Sequence, residues 1–189
     1  MSSHHIVREK QEPALLILSL GGFADELLGQ LLEWSPTVIA TPIAAEQLNA
    51  FGIKIDVIIT NDADEEMQGD ITLLSPGDAM PLVAALKHLV ANEYSAINII
   101  ADHFNAEDVI PFADKINTVI FTNGKKVYPI RSGFTKWKPA GDFFHILTPY
   151  SNLQVSGLTD KGGATFVTNM DGFVTFAFSE PLLFITEDI

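Results

Sequence analysis

Short apolar runs alternate with amphipathic segments over roughly the first two thirds of the chain. Strand-like apolar runs lie at 14–20, 37–41, 57–60, 97–101 and 118–121. Helical spacing of apolar residues lies between them, at 25–34, 44–51, 82–90 and 106–113. Short apolar runs flanked by helices are typical of strands that are buried on both faces. The pattern therefore predicts a parallel sheet with crossover helices over residues 1–123.

The pattern changes at Asn123-Gly124. An Asn-Gly pair between two apolar runs predicts a two-residue β-hairpin. Strand-like runs then follow at 143–147, 153–155, 165–168, 173–178 and 182–185, and turn residues separate them. No segment after the hairpin has helical periodicity. Residues 124–189 are therefore predicted to form an all-β domain.

The composition narrows the range of partners. The chain has 47% hydrophobic residues, which is enough to bury a core. It has 24 Asp+Glu and 11 Lys+Arg, so its net charge of −13 argues against binding to nucleic acid or to an anionic membrane. It has no cysteine, which excludes disulfides, thiolate zinc sites and a cysteine nucleophile. No apolar run approaches the roughly 18 to 20 residues of a membrane helix. We therefore expect a soluble, cytoplasmic protein with neither nucleic acid nor membrane as a partner.

Several stretches occur in the order in which a known family carries them. They are Phe51–Ile59, the acidic segment Asn61–Glu66, the helix after Asp78, Lys136-Trp137 with Ala140-Gly141, and Asp171–Thr175. In this order, and over nearly its full length, the chain resembles the thiamine pyrophosphokinase family. The resemblance implies a homodimer that binds thiamine and a nucleotide, with Mg²⁺ and ATP as cofactors. Its activity would be transfer of a pyrophosphoryl group from ATP to thiamine, with release of AMP.

The family's carboxylates hold Mg²⁺ against the nucleotide, and this chain matches them incompletely. The first acidic motif falls on Pro42–Ala45, which contains no carboxylate. The two metal-binding positions of the second acidic motif fall on Asn61 and Ala63 if the alignment has no gap. One inserted residue moves them to Asp62 and Asp64, and the slip must then be absorbed beyond the strand because strand side chains alternate. The register stays open, with the gapless one favoured.

The remaining motifs are also partly lost. Asp78 keeps the first position of the third motif, either as a metal ligand or as the N-cap of the next helix, and capping is favoured. Asp102-His103 resembles a remnant of the fourth motif without its Arg, and is either an acid/base pair or an ordinary polar loop. Trp137 either stacks on an aromatic ligand or packs in the β domain, with packing favoured. Gly21-Gly22 lacks the spacing of a phosphate loop and favours a tight turn.

The residue pattern and the family resemblance both predict an α/β plus all-β protein. An N-terminal Rossmann-like domain (1–123) resembles the family's catalytic domain, and a small C-terminal β-sandwich (124–189) resembles its thiamine-binding domain. The preferred hypothesis is a diverged pyrophosphokinase relative with weak or no catalysis. The second is an active thiamine pyrophosphokinase in the shifted register, and the third is a structural or partner-binding dimer whose cleft is filled by Met80 and Phe104. The candidate residues are Asp62, Asp64 and Asp78 for catalysis, Asp62 and Asp64 for Mg²⁺ with Glu65 or Glu66 in support, and Asp102, His103 and Trp137 for ligand binding.

Overall fold

The computed structural model describes residues 12–62 and 70–189. These residues form two compact units, which divide between Thr118 and Val119. No helix in the described ranges has the length and apolar character that crossing a membrane requires.

The first unit alternates strands and helices. Its elements are β1 (Ala14–Ile17), α1 (Asp25–Leu32), β2 (Val38–Ala40), α2 (Pro42–Ala50), β3 (Val57–Ile59), β4 (Thr72–Leu74), α3 (Pro81–Ala91), β5 (Ala96–Ile100), α4 (Ala106–Val109) and a 3-10 helix at Ile110–Phe112. The five strands are parallel, in the order β5-β1-β2-β3-β4. All residues of β1, β2 and β3 are buried, because helices cover both faces of such a sheet. The predicted α/β arrangement is confirmed.

Three local features of the first unit differ from the sequence prediction. The helix α3 begins at Pro81 after Met80, and no side chain caps it, so the favoured capping role of Asp78 is wrong. The residue at the N-cap position is Met80, whose side chain has no oxygen that could accept a bond from the first turn. The helix predicted at 106–113 is broken into α4 and a 3-10 turn at Pro111, where proline removes a backbone donor. The strand β4 was not predicted, because this edge strand is mostly exposed and its three residues are too few to form a pattern.

The second unit is built from strands. They are β6 (Asn117–Thr122), β7 (Lys125–Ile130), β8 (Phe134–Lys138), β9 (Phe143–Ile146), β10 (Gln154–Ser156), β11 (Leu158–Gly162), β12 (Thr165–Thr168), β13 (Gly172–Ala177) and β14 (Leu183–Asp188). A larger antiparallel group has the order β11-β12-β9-β14-β7-β6, and a smaller sheet has the order β10-β13-β8. The predicted hairpin joins β6 to β7, with φ of 50° at Asn123 and 72° at Gly124. Two positive φ angles are what a type I′ turn requires.

Aromatic side chains from both sheets fill the core of the second unit. Phe176 of β13 is fully buried, and its ring centroid lies 5.5 Å from that of Phe144 on β9 and 6.4 Å from that of Phe166 on β12. Both pairs are edge-to-face, which is a favourable geometry for aromatic rings. Phe134 of β8 lies 6.3 Å away on the side of the smaller sheet. Phe176 is therefore the central contact between the two sheets.

A buried ion-pair cluster also joins the two sheets. Glu187 of β14 is 5% exposed, and its Oε1 and Oε2 atoms lie 2.5 Å from Lys136 Nζ and 2.9 Å from Lys138 Nζ of β8. Lys138 also pairs with Asp142 at 2.7 Å. Burial, together with the nearby carboxylate of Glu187, raises the pKa of Tyr128 well above its ordinary value. One carboxylate thus holds two ammonium groups inside the unit.

Candidate functional site

The topology of the first unit points to the carboxyl edge of its parallel sheet. From β1 the chain steps in one direction through β2, β3 and β4, and it then returns to place β5 on the other side of β1. The loops after β1 and β5 therefore leave in opposite directions. In open parallel sheets, ligands bind in the crevice that forms at such a switch point.

Gly21 and Asp102 meet at this switch point. Gly21 lies in the loop after β1, and Asp102 lies in the loop after β5. A Cβ atom on Gly21 would lie 2.0 Å from Asp102 Oδ1, so only glycine lets this carboxylate lie against the backbone. Sequence analysis singled out both loops but had no signal for their contact. The tight-turn reading of Gly21-Gly22 is supported by a φ of 84° at Gly22.

An amide side chain links the loops after β3 and β4. Asn61 accepts hydrogen bonds at Oδ1 from Ser75 Oγ (2.8 Å) and from the Gly77 amide (3.1 Å). Its Nδ2 atom donates to the Gly77 carbonyl at 3.0 Å. Both ends of the amide therefore bind the loop of the neighbouring strand. Sequence reasoning considered Asn61 only as a replaced metal ligand and missed this structural role.

The hydroxyl of Thr41, directly after β2, likewise binds the loop of a neighbouring strand. The side chain of Thr41 donates to the Leu18 carbonyl at 2.9 Å and accepts from the Ala44 amide at 3.4 Å, which caps α2. The segment Pro42–Ala45, where the family's first acidic motif falls, is the first turn of this helix. Two uncharged side chains, Thr41 after β2 and Asn61 after β3, thus hold the loops of this edge in place.

The predicted site residues are distributed along this edge. Asp62 is exposed directly after β3, and its amide donates to Thr60 Oγ1 at 3.0 Å. Asp78 is exposed between β4 and α3, and both Asp102 and His103 are exposed after β5. Asp64, Glu65 and Glu66 lie outside the described residues. Within the described part of the chain, no three His, Asp or Glu side chains lie close enough to hold a metal ion. The Mg²⁺ site at Asp62 and Asp64 therefore stays a prediction.

Trp137 belongs to the second unit. It lies on β8, opposite Phe173 of β13, and the two side chains are 54% and 67% exposed. The favoured packing role is therefore wrong for Trp137, because its strand turns the neighbouring Lys136 and Lys138 toward Glu187 and so turns Trp137 outward. Ligand binding at Trp137 stays a prediction.

The acidic charge of the chain is concentrated in the first unit. Residues 1–118 have 18 Asp+Glu and 5 Lys+Arg, whereas residues 119–189 have 6 of each. The loops that follow the five strands contain no Lys or Arg in sequence. Lys54 pairs with Asp56 at 2.8 Å, and this hydrogen bond and charge raise its pKa. The candidate site therefore attracts cations and offers an anion no basic side chain from these loops.

Comparison with known proteins identifies the fold. No family model and no curated protein matches the sequence. The thiamin pyrophosphokinase from Geobacillus thermodenitrificans has a TM-score of 0.70 at 11% identity, covering 93% of this chain and 96% of its own. The thiamin pyrophosphokinase from Candida albicans has a TM-score of 0.66 at 11% identity, and the comparison covers 94% of this chain and 89% of that protein. The yeast thiamin pyrophosphokinase has a TM-score of 0.63 at 11% identity, and the comparison covers 97% of this chain and 88% of that protein. The resemblance drawn from sequence is thus confirmed, and over nearly its full length the chain has the fold of the thiamin pyrophosphokinases.

Proposed function

We propose that this protein is a diverged relative of the thiamin pyrophosphokinases that binds thiamine at the carboxyl edge of the parallel sheet and transfers pyrophosphoryl groups weakly or not at all. Thiamine is a cation, and its charge complements an edge that carries Asp62, Asp78 and Asp102. We propose the same two domains for the binding protein, with a Rossmann-like domain over 1–123 and a β-sandwich over 124–189. A cytoplasmic homodimer completes this proposal.

The amide of Asn61 is the observation that carries the proposal. Pyrophosphoryl transfer needs carboxylates that hold Mg²⁺ against the phosphates of ATP. In the gapless register Asn61 occupies one of these positions, and its amide forms three hydrogen bonds to Ser75 and Gly77 instead. The loops supply no Lys or Arg that would compensate the charge of a triphosphate. Binding of a cationic ligand is therefore favoured over binding and cleavage of ATP.

Gly21→Ala tests the binding site. The new methyl group would displace the Asp102 carboxylate, which is a mobile side-chain end, so the fold is retained while the charge moves. Calorimetric titration with thiamine should show affinity reduced by roughly tenfold, equivalent to about 1.4 kcal/mol of lost attraction.

Gly29→Ala is the matched control for this titration. Gly29 lies in α1, and a Cβ atom there has no neighbour within 4 Å. We expect it to leave thiamine affinity unchanged and to stabilise the helix slightly. Equal affinity in the wild type and in both variants would place the thiamine site elsewhere, and no binding at all would favour a structural or partner-binding dimer.

An active thiamine pyrophosphokinase is the second candidate. Asp62 and Asp78 follow the neighbouring parallel strands β3 and β4, and this placement favours it. When bound, Mg²⁺ would neutralise the developing charge on the phosphates. Asp62 and Asp64 would hold the ion with Asp78 as a further ligand, and ATP would be the donor. This mechanism requires Asp62→Ala/Asp64→Ala and Asp78→Ala to abolish AMP release from ATP, and unchanged activity in either variant would exclude it.

A further inference from the structure

A cavity of about 470 Å³ opens on the larger sheet of the second unit. Every residue that lines it belongs to this unit: Lys125, Phe143, Phe144, His145, Leu147, Thr165, Thr186 and Asp188. Its volume is within the range of small-molecule sites, which are mainly apolar with a few converging polar groups. The proposed thiamine site uses none of these residues.

The cavity lies on the face of the sheet opposite the core. Phe144 and Glu187 point toward the smaller sheet, where they contact Phe176 and Lys136. Because neighbouring strand residues face opposite sides, His145 and Thr186 point outward. The register pairs Thr165 with His145 and His145 with Thr186. These three side chains thus form a polar row across β12, β9 and β14.

The polar row has hydrogen-bonding capacity that the described residues leave unused. His145 Nδ1 and Thr165 Oγ1 are 2.9 Å apart, and this contact fixes the ring. Thr186 is 5% exposed and lines the cavity. Within the described part of the chain, neither the hydroxyl of Thr186 nor Nε2 of His145 has a hydrogen-bond partner. The Thr186 hydroxyl is not among the buried side-chain atoms that lack a partner, so it is accessible at the cavity wall and can bond to a ligand there.

Apolar side chains border the polar row on both sides. Phe143 lies two residues before His145 and Leu147 two residues after it, so both share its face of the sheet. Along the strand, Phe143 and Leu147 are about 14 Å from each other. They are 47% and 42% exposed, so both present apolar surface at the cavity. At the other border, Lys125 Nζ and Asp188 Oδ1 form an ion pair of 2.7 Å. The carboxylate of Asp188 therefore compensates the charge of Lys125, and this pair gives the cavity no net charge that would favour an ionic ligand.

We propose that this cavity binds a neutral, planar heteroaromatic molecule of one or two rings. One face of the ring packs on Phe143, which supplies an aromatic surface at the border of the polar row. Its polar edge meets His145 and Thr186. A hydroxyl group both donates and accepts, so a ligand with a ring nitrogen and an N–H group satisfies both side chains.

Benzimidazole is a suitable probe, because it is planar and carries a ring nitrogen and an N–H group. We expect amide NMR signals of β9, β12 and β14 to shift on titration of the full chain, and indene, which has the same shape without polar atoms, to bind more weakly. Thr186→Val should weaken benzimidazole binding by about three- to tenfold, since it removes one hydrogen bond and keeps the shape. Phe143→Ala should weaken the binding of both molecules.

Phe173→Ala is the control, because Phe173 is an exposed phenylalanine on the smaller sheet, outside the cavity. It should leave both affinities unchanged. Signal shifts outside these strands, or equal affinity in the wild type and Thr186→Val, would overturn the proposal. Shifts of the same signals with protein concentration in the absence of a probe would assign the face to a second copy of the chain, and would overturn it as well.

Discussion

Glu187→Ala is expected to lower the free energy of unfolding by about 3–5 kcal/mol. The carboxylate lies inside the second unit between Lys136 and Lys138, at 2.5 and 2.9 Å. Its removal takes away the carboxylate that pairs with Lys136, and it leaves Lys138, which is 15% exposed, with Asp142 as its remaining carboxylate. Urea unfolding monitored by circular dichroism measures the change. Glu187→Gln keeps the shape and is the second variant if the alanine protein does not fold.

Asp188→Ala is the matched control, one residue further along β14. Asp188 forms an ion pair with Lys125 at 2.7 Å, but both side chains are largely exposed, at 63% and 47%. Exposed ion pairs contribute about 0–1 kcal/mol, because water screens the charges and two side chains must be held in place. If the Glu187 and Asp188 variants lost equal stability, the ionic link between the sheets would be unimportant.

The same cluster predicts how stability depends on pH. Burial alone raises the pKa of Glu187, but the ammonium groups of Lys136 and Lys138 outweigh burial and lower it below the ordinary 4.5. A lowered folded-state pKa gives stabilisation that is present above pH 4.5 and is lost as the pH falls through the folded value. Burial alone lowers the pKa of Lys138, but Asp142 and Glu187 raise it above 10.5. This contribution is lost as the pH rises through the raised value.

Unfolding free energies across a pH series test this sign. The difference between wild type and Glu187→Gln should stay constant between about pH 6 and 9 and shrink below the ordinary pKa of Glu187. A difference that grows on acidification would show that Glu187 is destabilised as an anion in the folded protein.

Phe176→Ala should also cost about 3–5 kcal/mol. The ring is fully buried and lies 5.5 to 6.4 Å from the rings of Phe144, Phe134 and Phe166. Its truncation removes the central contact of the core and leaves a cavity that the three rings, on β8, β9 and β12, cannot all collapse to fill. The shift of the urea midpoint at constant slope gives the change in stability.

Phe173→Ala is the control on the same strand. Phe173 is 67% exposed and faces away from the core, so its truncation should change stability by less than about 1 kcal/mol. A cost at Phe173 equal to that at Phe176 would mean that the outer face of the smaller sheet is covered in solution.

The parts of the fold that follow from local patterns could be predicted from the sequence. The buried strands β1 and β3 appear as apolar runs, and Asn123-Gly124 specifies its hairpin through two positive φ angles. The strands β4, β8 and β11 were missed, because all three are short edge strands without a buried residue and without regular alternation of apolar and polar residues. Their pairing depends on a neighbouring strand rather than on their own residues.

The candidate site was less predictable, because its contacts join residues that are distant in sequence. Gly21 and Asp102 are 81 positions apart and meet only because β1 and β5 are adjacent. Asn61 looked like a lost metal ligand, and its bonds to Ser75 and Gly77 depend on the neighbouring placement of β3 and β4. Motif comparison identifies which side chain stands at a position, but the surrounding loops decide what that side chain binds.

The central claim is that this fold binds its ligand without efficient pyrophosphoryl transfer. AMP release from Mg-ATP, measured with and without thiamine at high protein concentration, tests it most directly, with Asp62→Ala/Asp64→Ala as the control. We predict AMP at the blank or only slightly above it for the wild type and at the blank for the variant, alongside measurable thiamine binding. Robust thiamine-dependent AMP release by the wild type that disappears in the variant would contradict the claim and establish an active enzyme in the shifted register.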